Sequence, residues 1–163
     1  MIFLTVGTYP LQFNRLIKAV DAAVGCNLID AEVFAQTGLS DFRPEHMNFV
    51  ELMDKAEFDC CFEEASGIVS HAGMGTITMA LDLGKPLVVM PRLKRLNEHV
   101  NDHQLATARK FEALGHVMAA YDETQLVHRI NALGAFRPAK RNTQAQAVSD
   151  RISKFLNQVQ KNR

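Results

Sequence analysis

Apolar residues in this chain fall into short blocks whose spacing switches between strand and helix. Ile2 to Val6 is a β-rich run ending at a glycine, and Phe13, Leu16, Ile17, Val20 and Val24 then recur at helical spacing. This predicts a strand, a loop, and a helix over 11–24. Further strands are expected at Ala31 to Gln36 and, briefly, at Asn48 to Val50. A helix follows over 51–64, its polar face carrying Glu51, Asp54 and Lys55. Gly67 to Ser70 reads as a strand, Thr76 to Leu83 as a helix stopped by Gly84, and Pro86 to Met90 as a buried strand. A helix over 98–114 and a last strand over 116–120 complete the series. After a basic, Pro-containing connector at Arg137 to Arg141, the tail over 145–159 puts Val148, Ile152, Phe155, Leu156 and Val159 on one face, the pattern of an amphipathic helix.

Strands alternating with helices, without hairpin signals, predict an α/β fold: a Rossmann-like parallel sheet with helices on both faces. At 163 residues, 47% of them hydrophobic, the chain is expected to form a single domain over 1–163. Such sheets bind ligands at the carboxyl ends of their strands, which directs attention to the loops after Val6, Ser70 and Met90.

Charge narrows the partners. Eighteen Lys and Arg balance eighteen Asp and Glu, so no overall field attracts nucleic acid or anionic lipid, and no nucleic-acid partner is expected. Three cysteines, with Cys60 and Cys61 adjacent, make neither a disulfide framework nor a CxxC pair. A reducing cytoplasm is the expected location. The opening run reads as a strand rather than a leader, and no apolar run approaches the ~20 residues of a membrane-spanning helix.

Three loops carry groups suited to chemistry. Ser70-His71-Ala72-Gly73-Met74-Gly75-Thr76 ends a strand and opens a helix. Its glycines would let a diphosphate approach the backbone, and the amides and dipole of the first helical turn favour an anion. Spacing alone fits a tight helix–strand turn equally well, and the stretch is neither a Walker A loop nor a complete GxGxxG. Pro91 to Gln104 forms a second, cationic loop. Arg92, Lys94 and Arg95 could meet phosphates, while Asn101, Asp102 and Gln104 suit sugar hydroxyls; Lys94 and Arg95 fit a solvated loop as readily. His99 and His103 stand four apart but lack a third ligand at a diagnostic distance, so neither metal nor other cofactor is expected. Gly7-Thr8-Tyr9-Pro10 is the third loop, where Gly7 is expected to supply an unusual backbone angle and Thr8 a hydroxyl. Met74, Met79 and Met90 read as core filler.

Taken together, Val6-Gly7-Thr8, Phe13-Asn14-Arg15-Leu16-Ile17, the Ser70–Thr76 loop, Leu83-Gly84-Lys85-Pro86-Leu87 and Asn101-Asp102-His103-Gln104 resemble the carboxyl-terminal, donor-binding domain of family 28 glycosyltransferases of MurG type. The likeness runs in order over residues 1–120. It is closest to short stand-alone subunits equivalent to that half alone, whether of the eukaryotic transferase acting on dolichol-linked intermediates or of bacterial exopolysaccharide proteins of PssE or EpsE type. The stretches Met90-Pro91-Arg92 and Glu98 to Gln104 look like the bacterial group.

The resemblance implies the carboxyl-terminal half of a GT-B glycosyltransferase, transferring a hexosyl group from a UDP-sugar to a lipid-linked acceptor in exopolysaccharide or capsule synthesis. It implies that Gly73, Gly75 and Thr76 cradle the diphosphate with His71 beside it, that Asp102, His103 and Gln104 reach the sugar, that Gly7 and Thr8 line the same cleft, and that Met74 and Asn101 belong to the donor-binding set. MurG-type members commonly carry a Glu for the ribose where this chain has Met79; Asp82 or backbone groups are the expected substitutes. Inverting displacement would proceed with helix amides and Arg92 stabilising the departing diphosphate. The general base is expected from a membrane-associated, acceptor-binding partner resembling the amino-terminal GT-B half, with His71 as its rival. That partner would recruit the chain to the inner face of the membrane, the 145–159 helix forming part of the docking surface. The alternative is a non-catalytic stabiliser or enhancer of a membrane-associated transferase.

Overall fold

The computed structural model describes residues 1–140. The expected tail helix over 145–159 lies outside the described residues. Six strands form one sheet: β1 (Ile2–Thr5), β2 (Val33–Gln36), β3 (Asn48–Val50), β4 (Gly67–His71), β5 (Leu87–Met90) and β6 (Met118–Ala119). Their order is β3-β2-β1-β4-β5-β6 and every pairing is parallel, so the chain reverses direction across the sheet between β1 and β4. This is the Rossmann-like sheet that the alternating pattern predicts.

Among the described residues, five α-helices cover it: α1 (Asn14–Gly25), α2 (Lys55–Glu64), α3 (Met74–Asp82), α4 (His103–Ala113) and α5 (Glu123–Asn131). Side chains of a strand point alternately to opposite faces, which divides the core in two. Leu4, Val69, Val88 and Met90 meet Leu16, Ile17 and Val20 of α1 and Leu126 and Ile130 of α5. Phe3, Ile68, Leu87 and Val89 turn the other way, onto Phe62 of α2, Ile77 and Ala80 of α3, and Ala108 of α4. The inner strands β1, β4 and β5 are buried on both sides, which is why their apolar residues come in runs, whereas the edge strand β3 is partly exposed.

Several expected boundaries move, each for a local reason. Helix α2 starts at Lys55 because Asp54 caps it: the Asp54 carboxylate accepts from Glu57 N at 2.8 Å, and the Glu57 carboxylate accepts from Asp54 N at 3.0 Å. Helix α3 starts at Met74 rather than Thr76, so Gly75 lies within its first turn and Gly73 is the N-cap. The helix expected from Glu98 begins only at His103, because Glu98 is drawn into a buried contact described below. Helix α1 starts at Asn14, and the last strand shortens to Met118–Ala119. Helix α5 is absent from the sequence reading, although Asp122 caps it by accepting from Gln125 N at 2.7 Å, and Leu126 and Ile130 repeat at helical spacing.

Candidate functional site

The loops after β1, β4 and β5 all emerge at the carboxyl edge of the sheet, beside its topological switch point. Strand β4 ends at His71, and its neighbour Ser70 fixes that ring. The Ser70 hydroxyl donates to the Thr5 carbonyl at 2.7 Å and lies 3.1 Å from His71 Nδ1. A hydroxyl has one proton, already given to Thr5, so His71 Nδ1 carries the proton of the second contact and Nε2 is left bare. Burial, then the charge of Arg92, pushes the His71 pKa down to about 4, and the ring is neutral at pH 7.

Glycines make room for this imidazole. Gly7 adopts φ +71°, as expected of an unusual backbone angle, and a Cβ there would stand 2.7 Å from His71 Cε1. At Gly73 a Cβ would stand 2.2 Å from Nε2. The two glycines therefore serve the histidine first. Gly75 differs: nothing lies within 4 Å of where its Cβ would be, so the first turn of α3 presents bare backbone to open space.

A cleft of about 500 Å³ opens over that turn, between α2 and α3. Gly7, Thr8, His71, Gly75 and Thr76 line it together with Gln36, Met53, Asp54, Lys55, Phe58, Asp59 and Met79. The lining thus combines unpaired helix amides and a positive dipole with apolar side chains and polar groups. The end of β2 supplies Gln36, and the loop after β3 supplies Met53 and Asp54. Their position at strand ends was a signal available in the sequence, which the three-loop reading passed over. Met79 packs against the core as expected and also lines the cleft, Met74 is 52% exposed, and Met90 is buried. Asp82 is not among the residues lining the cleft; it borders a shallower depression with Met74 and Leu83. Asp54 and Asp59 are the carboxylates in place, Asp59 being paired with Lys55 at 2.5 Å. A groove of about 530 Å³ between α1 and α5 is lined by none of the predicted loop residues.

The loop after β5 lines no part of this cleft, although the charges of its Arg92 and His99 act on His71, and the structure gives its residues different work. Arg92 is fully buried. Its Nη1 donates to the carbonyls of Leu11, Gln12 and Glu98, and its Nη2 to that of Val6, at 2.9–3.2 Å. Nε has no partner among the described residues, and burial pulls the pKa down to about 10, leaving the group cationic at neutral pH. The expectation that Arg92 meets the leaving diphosphate is therefore corrected: its terminal nitrogens are taken by backbone. Gln104 is buried and accepts from Arg92 N at 3.1 Å, and Asp102 accepts from Lys94 N at 2.8 Å, so both brace the loop. Asn101 and His103 remain exposed and bond to each other. Tyr9 stacks on His99 with ring centroids 4.4 Å apart, and His103 meets His99 edge-on at 4.6 Å. The aromatic rings thus join the loop after β1 to the loop after β5.

Residues 1–160 match the glycosyltransferase family 28 C-terminal domain. The chain belongs to that family. A UDP-N-acetylglucosamine transferase subunit, ALG13 of Eremothecium gossypii, is 50% identical over 114 residues, which cover 68% of this chain and 52% of that relative. The chain thus spans about half the length of the relative it matches.

Solved structures give the same fold. The crystal structure of the glycotransferase of kitacinnamycin superposes with a TM-score of 0.61 at 21% identity, covering 82% of this chain and 34% of that one. An NMR structure of ALG13 gives a TM-score of 0.58 at 17% identity, covering 93% and 94%. This family 28 domain is one Rossmann-like lobe, corresponding to the carboxyl-terminal half of a GT-B glycosyltransferase.

Proposed function

We propose that the chain is the donor-binding subunit of a two-chain inverting glycosyltransferase that moves a hexosyl group from a UDP-sugar to a lipid-linked acceptor. The observation that carries this reading is the cleft over the first turn of α3, where Gly75 leaves helix amides uncovered beside His71. A nucleoside diphosphate suits this lining. The pyrophosphate takes the helix N-terminus, and the base and ribose take the Met53, Phe58 and Met79 side, with Gln36, Asp54 and Asp59 within the same lining for ring and hydroxyl contacts. The sugar then points across His71 to Asn101 and His103. The ALG13 relative is named as a UDP-N-acetylglucosamine transferase subunit, which supports a transferase-subunit reading.

In the transfer, the acceptor hydroxyl forms its bond to the anomeric carbon as the bond to the diphosphate breaks, and the electron pair leaves on the phosphate oxygen. The amides at the start of α3 face that growing charge and lower the barrier. The acceptor proton goes to a base supplied by a second chain, which forms the facing lobe and holds the acceptor at the inner face of the membrane. No resident cofactor has a part in this scheme. Exopolysaccharide or capsule assembly is the setting we assign to it.

The commitment of Arg92 to backbone carbonyls favours a second reading, a stabilising subunit whose partner does all the chemistry. Calorimetric titration of the full chain with UDP and several UDP-sugars separates the two. Micromolar binding that disappears in Gly75→Trp supports the donor site. No binding, either alone or co-expressed with the partner, would leave only the stabiliser.

A further inference from the structure

The loop between β5 and α4 runs from Pro91 to Asp102 with one 3-10 turn, Lys94–Leu96, and much of its surface exposed. A segment of this length needs directional anchors to hold one conformation. Two arginines supply them, crossing in opposite directions. Arg15, in the first turn of α1, reaches into the loop: Nε and Nη2 each contact the Glu98 carboxylate at 2.9 Å, and Nη2 also donates to the Pro91 carbonyl at 3.0 Å. Arg92 reaches the other way, to the carbonyls of Val6, Leu11 and Gln12.

Glu98 is the node of both. Its carboxylate takes Arg15 and also Leu93 N at 2.9 Å, while its carbonyl takes Arg92 Nη1 at 3.2 Å. The Glu98 side chain is 1% exposed and that of Arg15 14%. An ion pair at this depth is a weak way to gain stability, because desolvation offsets most of the attraction and an apolar pair would pack as well. What apolar packing does not provide is a fixed register, and a planar guanidinium forked on a carboxylate does.

That register has a direction. The residue after Glu98 is His99, stacked on Tyr9, and Asn101 and His103 follow. None of the loop residues lines the cleft between α2 and α3. The clasp therefore holds a loop that acts on His71 through Arg92 and His99 yet takes no part in the cleft lining, which is left to other elements.

Resting on the donor-site reading above, we propose that Arg15 and Glu98 are positioning residues for the sugar end of the site. They hold the β5–α4 loop so that Asn101 and His103 face the transferred sugar, and they act on sugar recognition without acting on the nucleotide.

The test compares UDP with UDP-N-acetylglucosamine, UDP-glucose and UDP-galactose on the full chain, by calorimetry, for the wild type, Glu98→Gln, Arg15→Gln, Arg15→Lys and the double variant Arg15→Gln/Glu98→Gln. The expected result keeps UDP affinity within about twofold and lowers affinity for the best-bound UDP-sugar about tenfold, as displacement of a binding loop does. Arg15→Lys, which keeps the charge and loses the fork, falls between, and the double variant is no worse than either single one. Amide exchange should quicken over residues 93–104 and stay slow in β1, β4 and β5. Where Glu98→Gln does not fold, Arg15→Lys carries the comparison. UDP and UDP-sugar affinities that fall together, or a ratio that does not move, would overturn the proposal while leaving the donor site standing. A wild-type chain that binds neither UDP nor any UDP-sugar, alone or co-expressed with its partner, would overturn the donor reading, and this inference with it.

Discussion

Ser70 and His71, adjacent on β4, share a contact of 3.1 Å between the Ser70 hydroxyl oxygen and His71 Nδ1, and this sets which imidazole nitrogen is bare. Because Ser70 spends its proton on the Thr5 carbonyl, Nδ1 is the protonated nitrogen and Nε2 turns its lone pair toward Gly73. A lone pair repels a phosphate oxygen, whereas an imidazolium attracts one. A diphosphate seated at the start of α3 must then raise the His71 pKa from about 4 and draw a proton onto Nε2.

Proton uptake on binding is therefore expected. UDP-sugar titrations at pH 6 in buffers of different ionisation enthalpy should show net proton gain, and affinity should rise as pH falls from 7 to 5. His71→Gln should abolish both effects. Equal binding enthalpies in the different buffers would show that the diphosphate does not sit beside this ring.

The same histidine makes stability depend on pH. Its folded pKa of about 4 lies below the ordinary 6.5, so between those values the unfolded chain holds more protons and stability increases with pH. Acidification from pH 7 to pH 4 should cost about 3 kcal/mol through this group, and the lowered pKa of His99 acts in the same direction. Urea unfolding at the two pH values should show a smaller difference in His71→Gln than in the wild type.

Gly75→Ala should separate folding from binding. A Cβ there meets nothing, and alanine favours a helix, so the melting temperature should hold or rise by the equivalent of up to about 1 kcal/mol. The added methyl points into the space assigned to the diphosphate, and UDP affinity should drop at least tenfold. Unchanged UDP affinity in the folded variant would remove the first turn of α3 from the site.

Gly7→Ala should do the opposite, harming the fold directly. Its φ of +71° disfavours any side chain, and a Cβ 2.7 Å from His71 Cε1 forces the ring to move. A loss of about 1–3 kcal/mol is expected from urea unfolding. The His71 ring resonances should shift in the same variant if it folds.

Much of the architecture was legible because the inner strands β1 and β5 are buried on both faces and so appear as uninterrupted apolar runs. The boundaries were less legible. Asp54 and Glu57 close a capping box that places the start of α2, and Asp122 does similar work for α5; both are short polar signals that apolar spacing does not show. Glu98 reads as a good helix opener, yet its carboxylate is taken by Arg15, 83 positions away, and the helix starts five residues later.

The site divides in the same way. Gly7, His71, Gly75 and Thr76 stand together because a glycine turn at the end of a parallel strand has few places to go, and their order along the chain announces it. Arg92 and Gln104 could not be placed in this way. A cationic loop looks ready for phosphate in a sequence, and only the packed structure brings four carbonyls within reach of that guanidinium.

Alternation of apolar runs, the balance of charge and the glycines at strand ends are local properties, and the sequence by itself determined the sheet, its two covered faces and the edge where a ligand would bind. Which side chains face that ligand was decided by the tertiary structure alone. Hydrogen-bond partners are allotted among groups far apart in the chain, and a buried donor is satisfied by whichever acceptor the fold brings to it.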